Sequence, residues 1–188
     1  GNNESLMAQG NGVYSTVSLS GREGRTYTLT VVAEGKTYTA QSTMPRRVPL
    51  DDIKIEEVVV FGETEFNVIP VYLDPVELGN NYRFVLVVNN KLVNQHFIQN
   101  DVIKNGVVNT ARLEINDNDL KLISGDEVAI TMECIDAQVA TYYTTLVLIG
   151  DSGPGGGTTP NNPPTNISNG ALGLFSAHPV AAQIKMVP

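Results

Sequence analysis

The residues that could do chemistry in this 188-residue chain are few: His96, His178, Cys134 and a glycine-bracketed serine at position 152. The run Gly150-Asp151-Ser152-Gly153-Pro154 has the look of the loop that carries the nucleophile in trypsin-like serine proteases. That chemistry also needs a histidine base, a buried aspartate to orient it and oxyanion donors. Neither histidine lies in a matching motif, one glycine of the pattern is missing, and the run leads into Gly155-Gly156-Gly157. It reads as a loop. The same stretch fails as a phosphate cradle, since no Gly-Lys-Ser/Thr follows the glycines. Asn116-Asp117-Asn118-Asp119 gathers oxygens of the kind that hard cations prefer. Lys121 falls where an oxygen ligand is needed, however, so a strand-end turn is the default and a Ca²⁺ near Asp117 the sharper alternative. Cys134 alternates with Val128, Ile130 and Met132 and should point inward as a small, inert hydrophobe. His96 and His178 have no ligand partner close in sequence, and two imidazoles alone make no metal site. Asn166-Ile167-Ser168 fits the acceptor pattern for N-glycosylation. No catalytic, cofactor or metal residue is therefore expected. Tyr142 and Tyr143 are the candidate ligand-binding residues: side by side on a helix they point about 100° apart, so one can pack while the other faces a ligand.

The elements that must hold these residues are mostly strands. Residues 25–33 and 36–43 alternate with period two about Glu34-Gly35, a hairpin signature, and 12–19 reads as a further strand. Further strands are expected over 53–61, 66–73, 82–88, 92–98, 110–115, 127–135 and 173–187, divided by Gly, Asn, Asp and Pro turn signals. Pro70 implies an edge strand or a bulge. One helix breaks the pattern: after Asp136, a candidate N-cap, residues Val139, Tyr142, Tyr143, Leu146 and Ile149 follow helical spacing, which predicts a helix over 137–148. The fold expected is mainly β, with immunoglobulin or fibronectin type III-like sandwich modules. Residues 1–45 form a partial module, 46–49 a Pro-bracketed linker, and 50–188 a second module carrying the helix and a Gly/Pro/Asn-rich loop over 150–169.

Composition excludes whole classes of partner. Net charge is −8, with 12 basic against 20 acidic residues, so no positive stripe exists to release counterions from nucleic acid. Anionic lipid is disfavoured on the same ground. A single cysteine cannot close an intrachain disulfide, and no apolar run approaches the roughly 18–20 residues of a spanning helix.

The tail carries the most specific pattern. Asn162-Pro163-Pro164-Thr165-Asn166-Ile167-Ser168-Asn169-Gly170-Ala171-Leu172-Gly173-Leu174-Phe175-Ser176-Ala177 resembles the C-terminal signature of a Bacteroidota lipoprotein family, domain of unknown function 4249. Gly12-Val13-Tyr14-Ser15, Gly24–Leu29, Gly35–Ala40, Ser42–Pro45, Gly125–Val128 and then Asp136 with Tyr142-Tyr143 resemble the same family in the same order. The resemblance implies a precursor with a lipid-attachment cysteine, an outer-membrane anchor facing the surface or the periplasm, and a tie to TonB-dependent outer-membrane transporters. It supplies no catalytic residues and no cofactor. The chain departs from that pattern at its front, where the lipidated cysteine and opening strands are expected to be missing. The function expected is a non-catalytic binding or accessory module for a transporter, surface glycan or protein, with the 150–169 loop and the Tyr pair as binding surface. A structural or adhesive spacer is the alternative, and any membrane contact would run through an anchor outside this chain.

Overall fold

The computed structural model describes residues 3–101, 105–116, 120–150 and 162–188. Over these residues the protein is mainly β and sandwich-like, with one helix. Its strands are β1 Met7–Gly10, β2 Val13–Ser15, β3 Thr26–Ala33, β4 Lys36–Thr43, β5 Asp52–Val60, β6 Glu63–Val71, β7 Asn81–Val88, β8 Lys91–Leu92, β9 Phe97–Asn100, β10 Glu127–Ile135 and β11 Val180–Met186, with helix α1 at Ala137–Gly150. A five-stranded sheet runs β11-β10-β7-β8 with β9 also on β7, and β1–β2, β3–β4 and β5–β6 are separate antiparallel hairpins.

The core follows from period-two alternation. On β7 the residues Tyr82, Phe84, Leu86 and Val88 are buried, and on β10 Val128, Ile130, Met132 and Cys134. These line the inner face of the five-stranded sheet and pack against Ile53 of β5, Val68 of β6 and Tyr72, with Leu113 and Leu122 closing one side. Cys134 is inside as expected, and its Sγ accepts a hydrogen bond from Val48 N at 3.3 Å. Val48 and Leu50 are themselves buried in this core, so the chain on either side of Pro49 lies against the body.

Several expected strands are shorter or broken, each for a local reason. Strand 12–19 stops at Ser15 because the Glu4 carboxylate turns the chain by accepting from Val17 N, Ser18 N and Ser18 Oγ. Strand 92–98 splits into β8 and β9 where Gln95 leaves the ladder and bonds its side chain to Glu114 O and Asn116 N. Residues 173–187 yield a strand only from Val180, directly after Pro179, which has no N–H to give.

The stretch 110–115 runs beside β6 without becoming a strand, and Pro70 is the reason. Asn109 N donates to Tyr72 O and Leu113 N to Val68 O, so the next rung belongs between Ala111 and Pro70. Proline has no N–H to donate there. The Asn109 side chain fills the gap: its Nδ2 donates to Pro70 O at 2.8 Å and to Ala111 O at 3.1 Å, and its Oδ1 accepts from Ala111 N at 3.1 Å. Strand β6 is accordingly an edge strand, paired on its other side with β5.

The helix begins one residue after its cap. Asp136 Oδ1 accepts from Val139 N at 2.9 Å, the N-cap bond. Its other oxygen accepts from Ser42 Oγ at 2.6 Å and Thr43 N at 3.2 Å on β4, while Ser42 Oγ accepts from Ala177 N at 2.9 Å. One carboxylate and one buried hydroxyl thus tie helix, hairpin and tail together.

Candidate functional site

The two tyrosines have different surroundings. Tyr143 packs with Leu174 against Ile135, Val139 and Ala140 under the helix. Its ring lies 4.5 Å from the Arg83 guanidinium carbon, a cation–π contact. The His96 ring stands 5.2 Å away, and Tyr142 meets Tyr143 edge-on at 5.5 Å. Burial is the main reason the Tyr143 hydroxyl is pushed up in pKa. Arg83 lies directly opposite Glu133 in the β7–β10 ladder, and its Nη1 donates to both carboxylate oxygens, at 2.8 and 2.7 Å. His178 completes the series, with Nε2 3.7 Å from Glu133 Oε1 and Nδ1 2.8 Å from Ser176 Oγ.

The imidazoles that stand alone in the sequence therefore sit at opposite ends of one chain of contacts, His96–Tyr143–Arg83–Glu133–His178. These neighbours all lie far from the histidines in the sequence, apart from Ser176 beside His178. The signal lay in the strands: Arg83 and Glu133 are charged residues on the outward phase of otherwise apolar strands, and ladder register brings them face to face. Desolvation, with a smaller contribution from Arg83, holds His96 below the ordinary histidine range. The cluster has a single carboxylate, already engaged by Arg83. No group of three or more His, Cys, Asp or Glu side chains able to hold a metal occurs among the described residues. Residues 117–119 and 151–161 lie outside the described residues, and with them the Ca²⁺ alternative at Asp117, the serine loop and most of the 150–169 loop.

A wide cleft of about 740 Å³ opens on the other side of the helix start. Thr28, Thr39 and Gln41 of the β3–β4 hairpin form one wall, Gln138 and Thr141 of α1 a second, and Pro164–Ser168 of the tail the third. Most of the lining residues carry a hydroxyl or an amide beside apolar carbon, and none of the described side chains is charged. The tail is stapled to the hairpin along the cleft. Ala40 and Ile167 form an antiparallel bridge, Ser168 N donates to Thr39 O, and Ser168 Oγ accepts from Thr39 N at 2.8 Å. Asn166 Nδ2 donates to Gln41 O and Phe175 O, and Asn169 Nδ2 to Thr37 O. The amide of Asn166, the glycosylation candidate, is thus engaged on both sides. Tyr142 and Tyr143 do not line this cleft.

The family described as Domain of unknown function (DUF4249) matches residues 1–184. The chain belongs to this family. Residues 162–177 of the tail fall inside this match, and its polar side chains are the ones that clasp the hairpin. No curated protein and no solved structure matches this DUF4249 chain. Among its described residues no helix is long and apolar enough to cross a membrane.

Proposed function

We propose that this chain is a non-catalytic binding or accessory module of the cell envelope, held at the outer membrane by a lipid anchor outside it and working beside a TonB-dependent transporter. The observation that carries the binding half of this reading is the cleft between hairpin, helix start and tail. An uncharged lining that mixes apolar surface with hydroxyls and amides suits a neutral ligand with both hydrogen-bonding groups and apolar faces, such as a short glycan or a peptide. Membership of the family supports the envelope setting, through the lipoprotein character that its motifs imply.

The test is titration of neutral oligosaccharides and uncharged peptides against the intact chain and a Gln138→Ala/Thr141→Val variant. Saturable binding that falls about tenfold or more in the variant supports the reading, that being the scale of losing one or two net hydrogen bonds. Binding that is indifferent to the substitutions removes the cleft from consideration.

A second reading, a structural or adhesive spacer, is favoured by a specific feature. The side chains of Asn166, Ser168 and Asn169 are spent on internal bonds, so the tail acts as a clasp and offers little to a ligand. A full panel without binding, together with intact cell-surface assembly in the variant, favours the spacer.

A further inference from the structure

The hairpins β1–β2, β3–β4, β5–β6 and β7–β8 each close through two residues with positive φ. Those pairs are Asn11-Gly12, Glu34-Gly35, Phe61-Gly62 and Asn89-Asn90. Two-residue turns of this kind require left-handed backbone at both positions, where Asn and Gly fit and a bulky side chain is strained. Glu34 and Phe61, both with φ 50°, depart from this preference, and only Phe61 is bulky and aromatic. Phe61 is strained for no local reason. It is also fully exposed, at 103% of its reference area, and follows Val59 and Val60, which are 70% and 37% exposed. An aromatic held in a disfavoured backbone conformation at the end of a projecting apolar hairpin, with no packing partner to reward it, is a feature that folding alone does not explain.

Charge around the tip narrows what it can meet. Glu56 and Glu57 precede the apolar run, and Glu63 and Glu65 follow it. Lys54 pairs with Glu56 at 2.8 Å and Lys121 with Glu63 at 2.6 Å, and Arg112, paired with Glu114, also lies within the field of Glu56 and Glu65, so the carboxylates here, Glu114 included, still outnumber the three cations. An anionic lipid surface repels this rim, whereas a pocket edged by basic side chains attracts it. Glutamates beside an apolar strand also limit aggregation, but that role gives no reason to place Phe at the turn.

We propose that Phe61, flanked by Val59 and Val60, is the anchor of a protein-docking site. The occupant is a partner protein offering an apolar pocket of aromatic size, rimmed by Lys or Arg. This surface is separate from the polar cleft and does not depend on it.

The test uses the intact chain with photoreactive p-benzoylphenylalanine at position 61, irradiated in the cells that produce it. The adduct is identified by mass spectrometry of the crosslinked peptide, and the protein so identified is purified and titrated. The expected result is one discrete protein adduct mapping to an apolar pocket edged by basic residues. Its affinity should fall on the order of 30-fold or more for Phe61→Asn, as for loss of an aromatic hot spot, and weaken with added salt and with Glu57→Lys/Glu65→Lys. Asn-Gly is the preferred pair for this turn, so Phe61→Asn should keep or raise the unfolding midpoint, which separates lost docking from lost folding. Four outcomes overturn the proposal: no discrete protein adduct, a crosslink to a second copy of this chain, affinity indifferent to Phe61→Asn, or wild-type but not Phe61→Asn chain floating with phosphatidylcholine or phosphatidylglycerol vesicles.

Discussion

Replacing Asp136 with alanine should cost this protein about 2–4 kcal/mol of stability, and the figure can be built from its contacts. The first part is the N-cap bond from Val139 N, whose loss is worth about 1 kcal/mol, within a range of about 0.5–2. The second part is Ser42, which is buried at 3% exposure and donates its hydroxyl proton to Asp136. Stripped of that acceptor, the buried donor costs about 1–3 kcal/mol. The exposed bond from Thr43 N adds little. Asp136→Asn keeps one oxygen for the cap but turns an amide donor toward Ser42 and Thr43, so it should lose roughly half as much. Ser42→Ala strands Ala177 N, and because the two residues share one network the double variant should fall short of the sum by about 1 kcal/mol. Urea unfolding monitored by tyrosine fluorescence and far-UV circular dichroism measures the four variants against the wild type. A loss below about 0.5 kcal/mol for Asp136→Ala, or strict additivity with Ser42→Ala, refutes the idea that this carboxylate joins helix to hairpin.

Other consequences are quicker to check. Glu133→Gln should destabilise by about 2 kcal/mol, between the values for exposed and buried ion pairs, since Arg83 and Glu133 are 18% and 13% exposed; an unchanged urea midpoint would contradict the burial argument. His96 titrates below its unfolded value of about 6.5, so the unfolded chain binds the extra proton and stability falls as pH drops below about 6.5. In His96→Gln that decline should shrink, read as a smaller shift of the urea midpoint between about pH 7 and 5; equal shifts in both proteins dispose of the claim. Burial pushes the Cys134 thiol up, so a thiol reagent at pH 8 should label the folded chain only as fast as it unfolds. Rapid labelling in native buffer would mean the thiol is not enclosed.

How much of this was legible in the sequence depends on the range of the interaction. The β3–β4 hairpin, the alternation that buries β7 and β10, the Asp136 cap and the inward Cys134 are local patterns, and the sequence reading of each matches the structure. The helix runs two residues beyond its expected end, because period and composition mark a helix end poorly when no glycine or proline cuts it short before Gly150. What stayed hidden is long-range. The Arg83–Glu133 pair depends on the register of two strands far apart in the chain, and the cleft depends on a tail that returns to the β3–β4 hairpin. Strand 110–115 failed because one proline on its neighbour removes a rung, which no reading of 110–115 by itself could detect.

That missing rung also has a bearing on how the molecule lives among its own copies. An open sheet margin invites a foreign strand to zip on. At Pro70 a newcomer would find no donor, and at Asn109 a carboxamide already seated in the vacancy. The outer side of β6 is already taken by the 109–113 segment and is interrupted at Pro70, so it cannot seed an endless ladder, and the place where the sheet stops growing is written into one imino acid and the amide that answers it.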